Sequence, residues 1–207
     1  MMGRVSFAVV LYLDHRSDRQ VRSIWTALDG RGVVSAGTEH VDDRPHVTLA
    51  VFDDCAPDVV VPSLRDPLDD VSEIPLVLGS VGFFLSAKAP AFLGVVPSKQ
   101  LLSVHAAVQT VIAPLVTGNS EHYEQRNWLP HCTLAMGAPP DATGVIVNTV
   151  SGFDLPIRAR ARSAHLVQLA TRQSAANLSS PAPVPHDALT GLLPPPPPPP
   201  SNTALAK

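Results

Sequence analysis

Arg44-Pro45-His46-Val47-Thr48-Leu49-Ala50 returns 85 residues later as Leu129-Pro130-His131-Cys132-Thr133-Leu134-Ala135. Both copies read Pro-His-x-Thr-Leu-Ala inside apolar, β-prone stretches, HVTLAVF and HCTLAM, which marks each as a strand. Side chains alternate between the faces of a strand, so His46 and Thr48 share one face while Val47 and Leu49 take the other. The second copy does the same with His131 and Thr133 against Cys132 and Leu134. Each strand thus offers an imidazole and a hydroxyl about 7 Å apart, backed by core residues. If the two strands lie side by side, the polar faces converge on one cleft. A pair of imidazoles then suits a reaction in which one takes a proton from an attacking oxygen and the other gives one to a leaving oxygen. Two threonine hydroxyls would hold the non-bridging oxygens of a phosphate.

Working outward, Arg4 to Leu13 reads as a first strand rather than a signal core, because Asp14-His15-Arg16 cuts the apolar run short. Ser17 with Gln20 is a capping-box pattern that opens a helix carrying Val21, Ile24, Trp25 and Leu28 on one face, ended by Gly30 and Gly32. Residues 54–71 read as a loop or short helix. Ile74 to Leu85 and Phe92 to Val96 read as strands, the first bent at Gly79 and Gly82. Lys99 to Ala113 is the best helix pattern, with Leu101, Val104, Val108 and Val111 as its stripe. Asp141 to Val150 is a weak helix and Pro156 to Ala170 a long last strand.

Composition limits the rest. Of 207 residues, 45% are hydrophobic and 16% charged, so the chain can bury a core, and a formal net charge of −3 argues against a basic non-specific duplex binder. No apolar run reaches the roughly 18 residues that span a bilayer, so no membrane partner is expected. Two cysteines, Cys55 and Cys132, form no disulfide framework and fit no zinc spacing, which points to a reducing, cytoplasmic setting. Ten of the 22 prolines lie between Pro181 and Pro200. The expected folded unit is therefore residues 3–172, with 173–207 a disordered proline-rich tail. That tail is either a docking site for a proline-binding partner or a tolerated low-complexity extension.

The matched pair of His-x-Thr-Leu motifs, with this order of strands and helices over roughly residues 5–170, resembles the 2H phosphoesterase superfamily of 2′-5′ RNA ligases and cyclic phosphodiesterases. The resemblance implies an α+β fold of two pseudo-symmetric lobes, each a small antiparallel-rich sheet with helices on its outer face, around a central cleft. It implies catalytic roles for His46 and His131, phosphate-binding roles for Thr48 and Thr133, no cofactor and no metal. The implied substrates are 2′,3′-cyclic or 2′-5′ phosphodiesters of RNA ends or small nucleotides, acted on by a monomer. Where many relatives carry a basic residue after the second motif, Ala135-Met136-Gly137 follows here. Arg126, Arg44 or Lys88 is expected to supply the cation instead. The rival reading is a nucleotide- or RNA-end-binding module without significant turnover, or a scaffold recruited through its tail.

Other residues divide between two uses. Tyr123 and Trp128 suit either stacking on a nucleobase or filling the rim of the core, and with Arg126 they are candidate substrate contacts. Arg158, Arg160 and Arg162 alternate along the last strand as a basic stripe or a solvated face. His105 and Cys132 read as packed core. Neither motif places a third ligand beside its histidine for zinc.

Overall fold

The computed structural model describes residues 6–40, 43–86 and 89–179. The expectations for Lys88 and for the proline-rich segment 181–200 therefore lie outside the described residues. The fold mixes helices with antiparallel sheet. In chain order come β1 (Ser6–Leu13), α1 (His15–Asp29), α2 (Ala36–Glu39), β2 (His46–Cys55), α3 (Pro57–Leu68), β3 (Pro75–Phe83) and β4 (Ala91–Val95). There follow α4 (Lys99–Ile112), β5 (Val116–Thr117), β6 (His131–Ala135), α5 (Thr143–Val150), β7 (Ile157–Gln168) and β8 (Gln173–Asn177). The strands make one open sheet in the order β5-β2-β1-β7-β3-β4-β6, with β8 paired to β7. The two small sheets expected from the repeat are joined because β7 is 12 residues long. Its first residues pair with β3 and the remainder with β1.

Alternation along the strands separates two faces. Phe7, Val9, Leu11 and Leu13 of β1 enter the main core with Ile24 and Leu28 of α1, whereas Ala8, Val10 and Tyr12 join Val167 on the opposite face. On β2, Val47, Leu49 and Phe52 are fully buried in the core, each worth about 1.5–3 kcal/mol relative to exposure. A bulge between Val9 and Val10 pairs Val9 with Ala50 but Val10 with Thr48, so Leu49 is the extra residue. This shifts the phase of β2 and sends Val51 to the same side as His46 and Thr48.

Two expectations are revised, and the loop-or-short-helix alternative for residues 54–71 resolves to a helix. The cap of α1 is Asp14, not Ser17: its carboxylate accepts from the N–H groups of Arg16 and Ser17, and the Ser17 hydroxyl donates to the same side chain. An ionised acceptor satisfies these N–H groups one turn earlier than the capping-box pattern indicates. Residues 57–68 form a helix despite Pro62 and Pro67, because Pro57 starts it and Val60, Leu64 and Leu68 bury one stripe. The folded unit also continues past residue 172. Strand β8 pairs with β7 from His165 to Gln168, Leu178 is fully buried, and its N–H donates to the Ala164 carbonyl. Polar QSAAN hides this strand, since its pairing uses backbone groups and its apolar contribution is limited to Ala176, packed at the core's edge, and the buried Leu178 just beyond it.

Candidate active site

His46 opens β2 and His131 opens β6. Both rings, with Thr48 and Thr133, line one cavity of about 230 Å³. The proline before each histidine ties the strand start to its neighbour: Leu13 N–H donates to the Pro45 carbonyl and Val95 N–H to the Pro130 carbonyl. Cys132, buried between the two site residues of β6, puts its sulfur in hydrogen-bond contact with the His46 backbone. Burial pushes its thiol up to about 12, so it packs as an inert neutral group.

The two imidazoles are held in the same way. His46 Nδ1 lies 2.5 Å from the Arg44 carbonyl and His131 Nδ1 2.7 Å from the Leu129 carbonyl, each two residues back. A carbonyl only accepts, so Nδ1 carries the proton and Nε2 keeps its lone pair in the neutral ring. Each Thr backbone is braced by an indole from the other half of the chain. Trp25 Nε1–H donates to the Thr133 carbonyl at 3.1 Å, and Trp128 Nε1–H donates to the Thr48 carbonyl at 3.0 Å. Gly37 has no Cβ because one there would run into the Trp25 ring, so α2 can lie flat on that indole.

The surroundings of the rings differ. His46 has the Asp43 carboxylate 3.5 Å from Nδ1 and the edge of Tyr12 at 6.3 Å between centroids. His131 packs against Phe84 and Phe92, at 4.9 and 5.2 Å, and the two phenyl rings themselves lie 4.5 Å apart. Burial there, and secondarily the nearby His46, hold its imidazole below the ordinary value. Phe92 reaches this position because a Cβ on Gly82 would occupy its ring.

A family model described as the 2′-5′ RNA ligase superfamily matches residues 16–173. The chain belongs to this superfamily, which is the 2H phosphoesterase superfamily. Membership points to phosphoesterase or RNA-ligase-like activity. A search of curated proteins finds no match.

The other residues singled out in the sequence separate. Tyr123 lines the cavity and its hydroxyl bonds the Thr48 side chain, while burial raises its pKa. Trp128 is absent from the lining; it stacks flat on His105 at 3.8 Å and serves as a brace. His105 is core, 2% exposed, with Nε2–H donating to the Tyr123 carbonyl. Arg126 is exposed and pairs with Glu124 at 3.2 Å, away from the cavity. Arg44 lies over the Tyr12 ring at 4.1 Å and is also outside the lining. Arg158, Arg160 and Arg162 are exposed on β7, and Arg160 pairs with Glu73. Sequence reasoning missed Asp43 and Arg172, both in the lining. Asp43, three residues before His46, carries a spacing signal; Arg172 follows a strand with no motif of its own. Among the described residues no three His, Cys, Asp or Glu side chains cluster as metal ligands, and no helix is long and apolar enough to cross a membrane.

Proposed function

We propose that this chain is a metal-independent phosphodiesterase acting on 2′,3′-cyclic or 2′-5′ phosphodiester bonds of RNA ends or small nucleotides. The observation that carries the reading is the matched pair of imidazoles on one cavity, each with Nδ1–H held by the carbonyl two residues back and Nε2 left for proton transfer. In hydrolysis, His131 Nε2 takes a proton from water as the water oxygen bonds to phosphorus. The bond from phosphorus to the leaving 2′ or 3′ oxygen breaks, and His46, protonated at Nε2, returns a proton to that oxygen. Two observations support this division: burial lowers the His131 pKa, and the Asp43 carboxylate lies 3.5 Å from His46 Nδ1. Thr48 and Thr133 donate to the non-bridging oxygens. Ligation is the same displacement on a 2′,3′-cyclic phosphate with a 5′-hydroxyl in place of water. The 5′ oxygen bonds to phosphorus as His131 takes its proton, the bond to the 3′ oxygen breaks with a proton from His46, and a 2′-5′ linkage remains; its reversal exchanges the roles of the histidines.

The reading includes a pseudo-symmetric pair of lobes facing a central cleft and a cytoplasmic monomer. Turnover of a panel of 2′,3′-cyclic nucleotides and 2′-5′ dinucleotides, with and without chelator, tests it. Chelator-resistant hydrolysis that disappears in His46→Ala and His131→Ala is expected. Tight nucleotide binding without turnover by the wild type would instead favour a binding module.

A further inference from the structure

Arg172 sits in the turn between β7 and β8, with φ at 55°, and lines the cavity that holds His46, Thr48, Tyr123, His131 and Thr133. Its Nε is buried and has no hydrogen-bond partner. A buried guanidinium N–H left unpaired is costly, and a charged group in that state is stabilised by an anion that enters the site. The guanidinium is close enough to Tyr123 to act electrostatically on its hydroxyl, which itself bonds Thr48. The cation therefore shares one cavity with both threonines. Where the chain leaves β6, Met136 lines the cavity and brings no charge. Ala8, Val10, Val51, Val167 and Leu169 give the cavity an apolar stretch of wall, and Tyr12 and Asp43 complete the lining.

We infer that Arg172 is the phosphate-binding cation of this site, its fork gripping a non-bridging oxygen that the threonine hydroxyls also hold. A guanidinium presents several donors in one plane and matches phosphate geometry better than an ammonium. Delivered by the β7–β8 turn, this charge makes β8 part of the active site. The apolar stretch of wall, with no donor or acceptor side chain, would accept a sugar or base by shape alone. The inference rests on the phosphodiesterase reading for its substrate, but anion binding can be measured without turnover.

The test uses the full chain and inorganic phosphate as probe. Thermal denaturation with increasing phosphate, at constant ionic strength, should raise the Tm of the wild type and of Arg65→Gln, an exposed arginine on α3 outside the cavity. Arg172→Gln should lose that shift, and Arg172→Lys should keep part of it. With a 2′,3′-cyclic nucleotide, Arg172→Gln should lower kcat/KM about ten- to a hundredfold, the size expected for a charge-assisted hydrogen bond. In the wild type, an arginine-selective dicarbonyl reagent followed by peptide mass mapping should show phosphate protecting Arg172 and not Arg65, a readout that does not depend on any variant folding. An unchanged phosphate shift in Arg172→Gln, or no protection of Arg172, would overturn the inference. If His46→Ala and His131→Ala turned over as the wild type does while Arg172 still governed the phosphate shift, the phosphodiesterase reading would fail and this one would stand.

Discussion

The two Pro-His-x-Thr-Leu-Ala copies are alike in backbone and unlike in neighbours. Each imidazole is locked by the same carbonyl bond, and each threonine carbonyl is braced by an indole. Yet His46 has Asp43 at 3.5 Å and Tyr12 at its edge, whereas His131 packs against Phe84 and Phe92. The repeat supplies two imidazoles held alike, and the proposed reaction needs two that differ at any moment. The difference is made by the residues around the repeat and not by the repeat itself.

Removing either imidazole is the largest break available. His46→Ala and His131→Ala should each lower kcat on a 2′,3′-cyclic nucleotide by about 10²- to 10⁴-fold. The double variant should be little worse than the weaker single one, because the proton leaves and returns as one process. Initial rates measure this, and additive losses in the double variant would mean that the rings act independently.

The next effect is on pH dependence. His131 is held below its ordinary value by burial and by His46, so the acid limb of kcat/KM should fall below about pH 6.5. Phe84→Ala admits water to that ring and should move the limb upward, lowering activity at mildly acid pH. Stability follows the same sign. His105 and His131 bind protons more weakly folded than unfolded, so their contribution is complete above about pH 6.5 and is lost as pH falls through their folded values. A Tm that did not decline on acidification through this window would contradict that account.

What could be read from the sequence was the part with a period. The repeat identified both site strands, the partition of His and Thr from Val, Cys and Leu, and most helices and strands. Strand β8 was unreadable because Gln173 to Asn177 pairs through its backbone and buries no apolar stripe. The bulge at Leu49 was unreadable because it changes the pairing and not the composition. Trp128 was open between base stacking and core because an indole serves both; His105 beneath it and the Thr48 carbonyl decide for a brace. Arg172 needed a fold to bring residues 48, 123 and 172 to one wall.

The threonines sharpen the comparison at smaller amplitude. Thr48→Ala and Thr133→Ala should each cost about tenfold in kcat/KM, less than either histidine, since each removes a single hydrogen bond to phosphate. They should differ in what else moves them. Thr48 shares a hydrogen bond with the Tyr123 hydroxyl, so Tyr123→Phe should lower activity a few-fold in wild type. In Thr48→Ala it should do little more, whereas with Thr133→Ala it should add its full effect. Full additivity with both would show that Tyr123 does not act through Thr48.

The smallest effects concern the braces, and they test whether the halves support each other crosswise. Trp25 comes from α1 and reaches Thr133; Trp128 precedes the second motif and reaches Thr48. Trp25→Phe keeps most of the packing but leaves a carbonyl without its donor, at about 1–3 kcal/mol. For a domain of this size that is about 2–4 °C in Tm per kcal/mol. Trp25 is 4% exposed while Trp128 is only half-buried, so water can replace the donor more readily at Thr48 and Trp128→Phe should cost less. The activity losses should be no more than a few-fold, and their pattern is the informative part. Trp25→Phe should couple with Thr133→Ala and add independently to Thr48→Ala, and Trp128→Phe should do the reverse. If each indole coupled instead with the threonine of its own half of the chain, the crossed bracing would carry no energy. The two motifs would then be held by their own sheet neighbours alone.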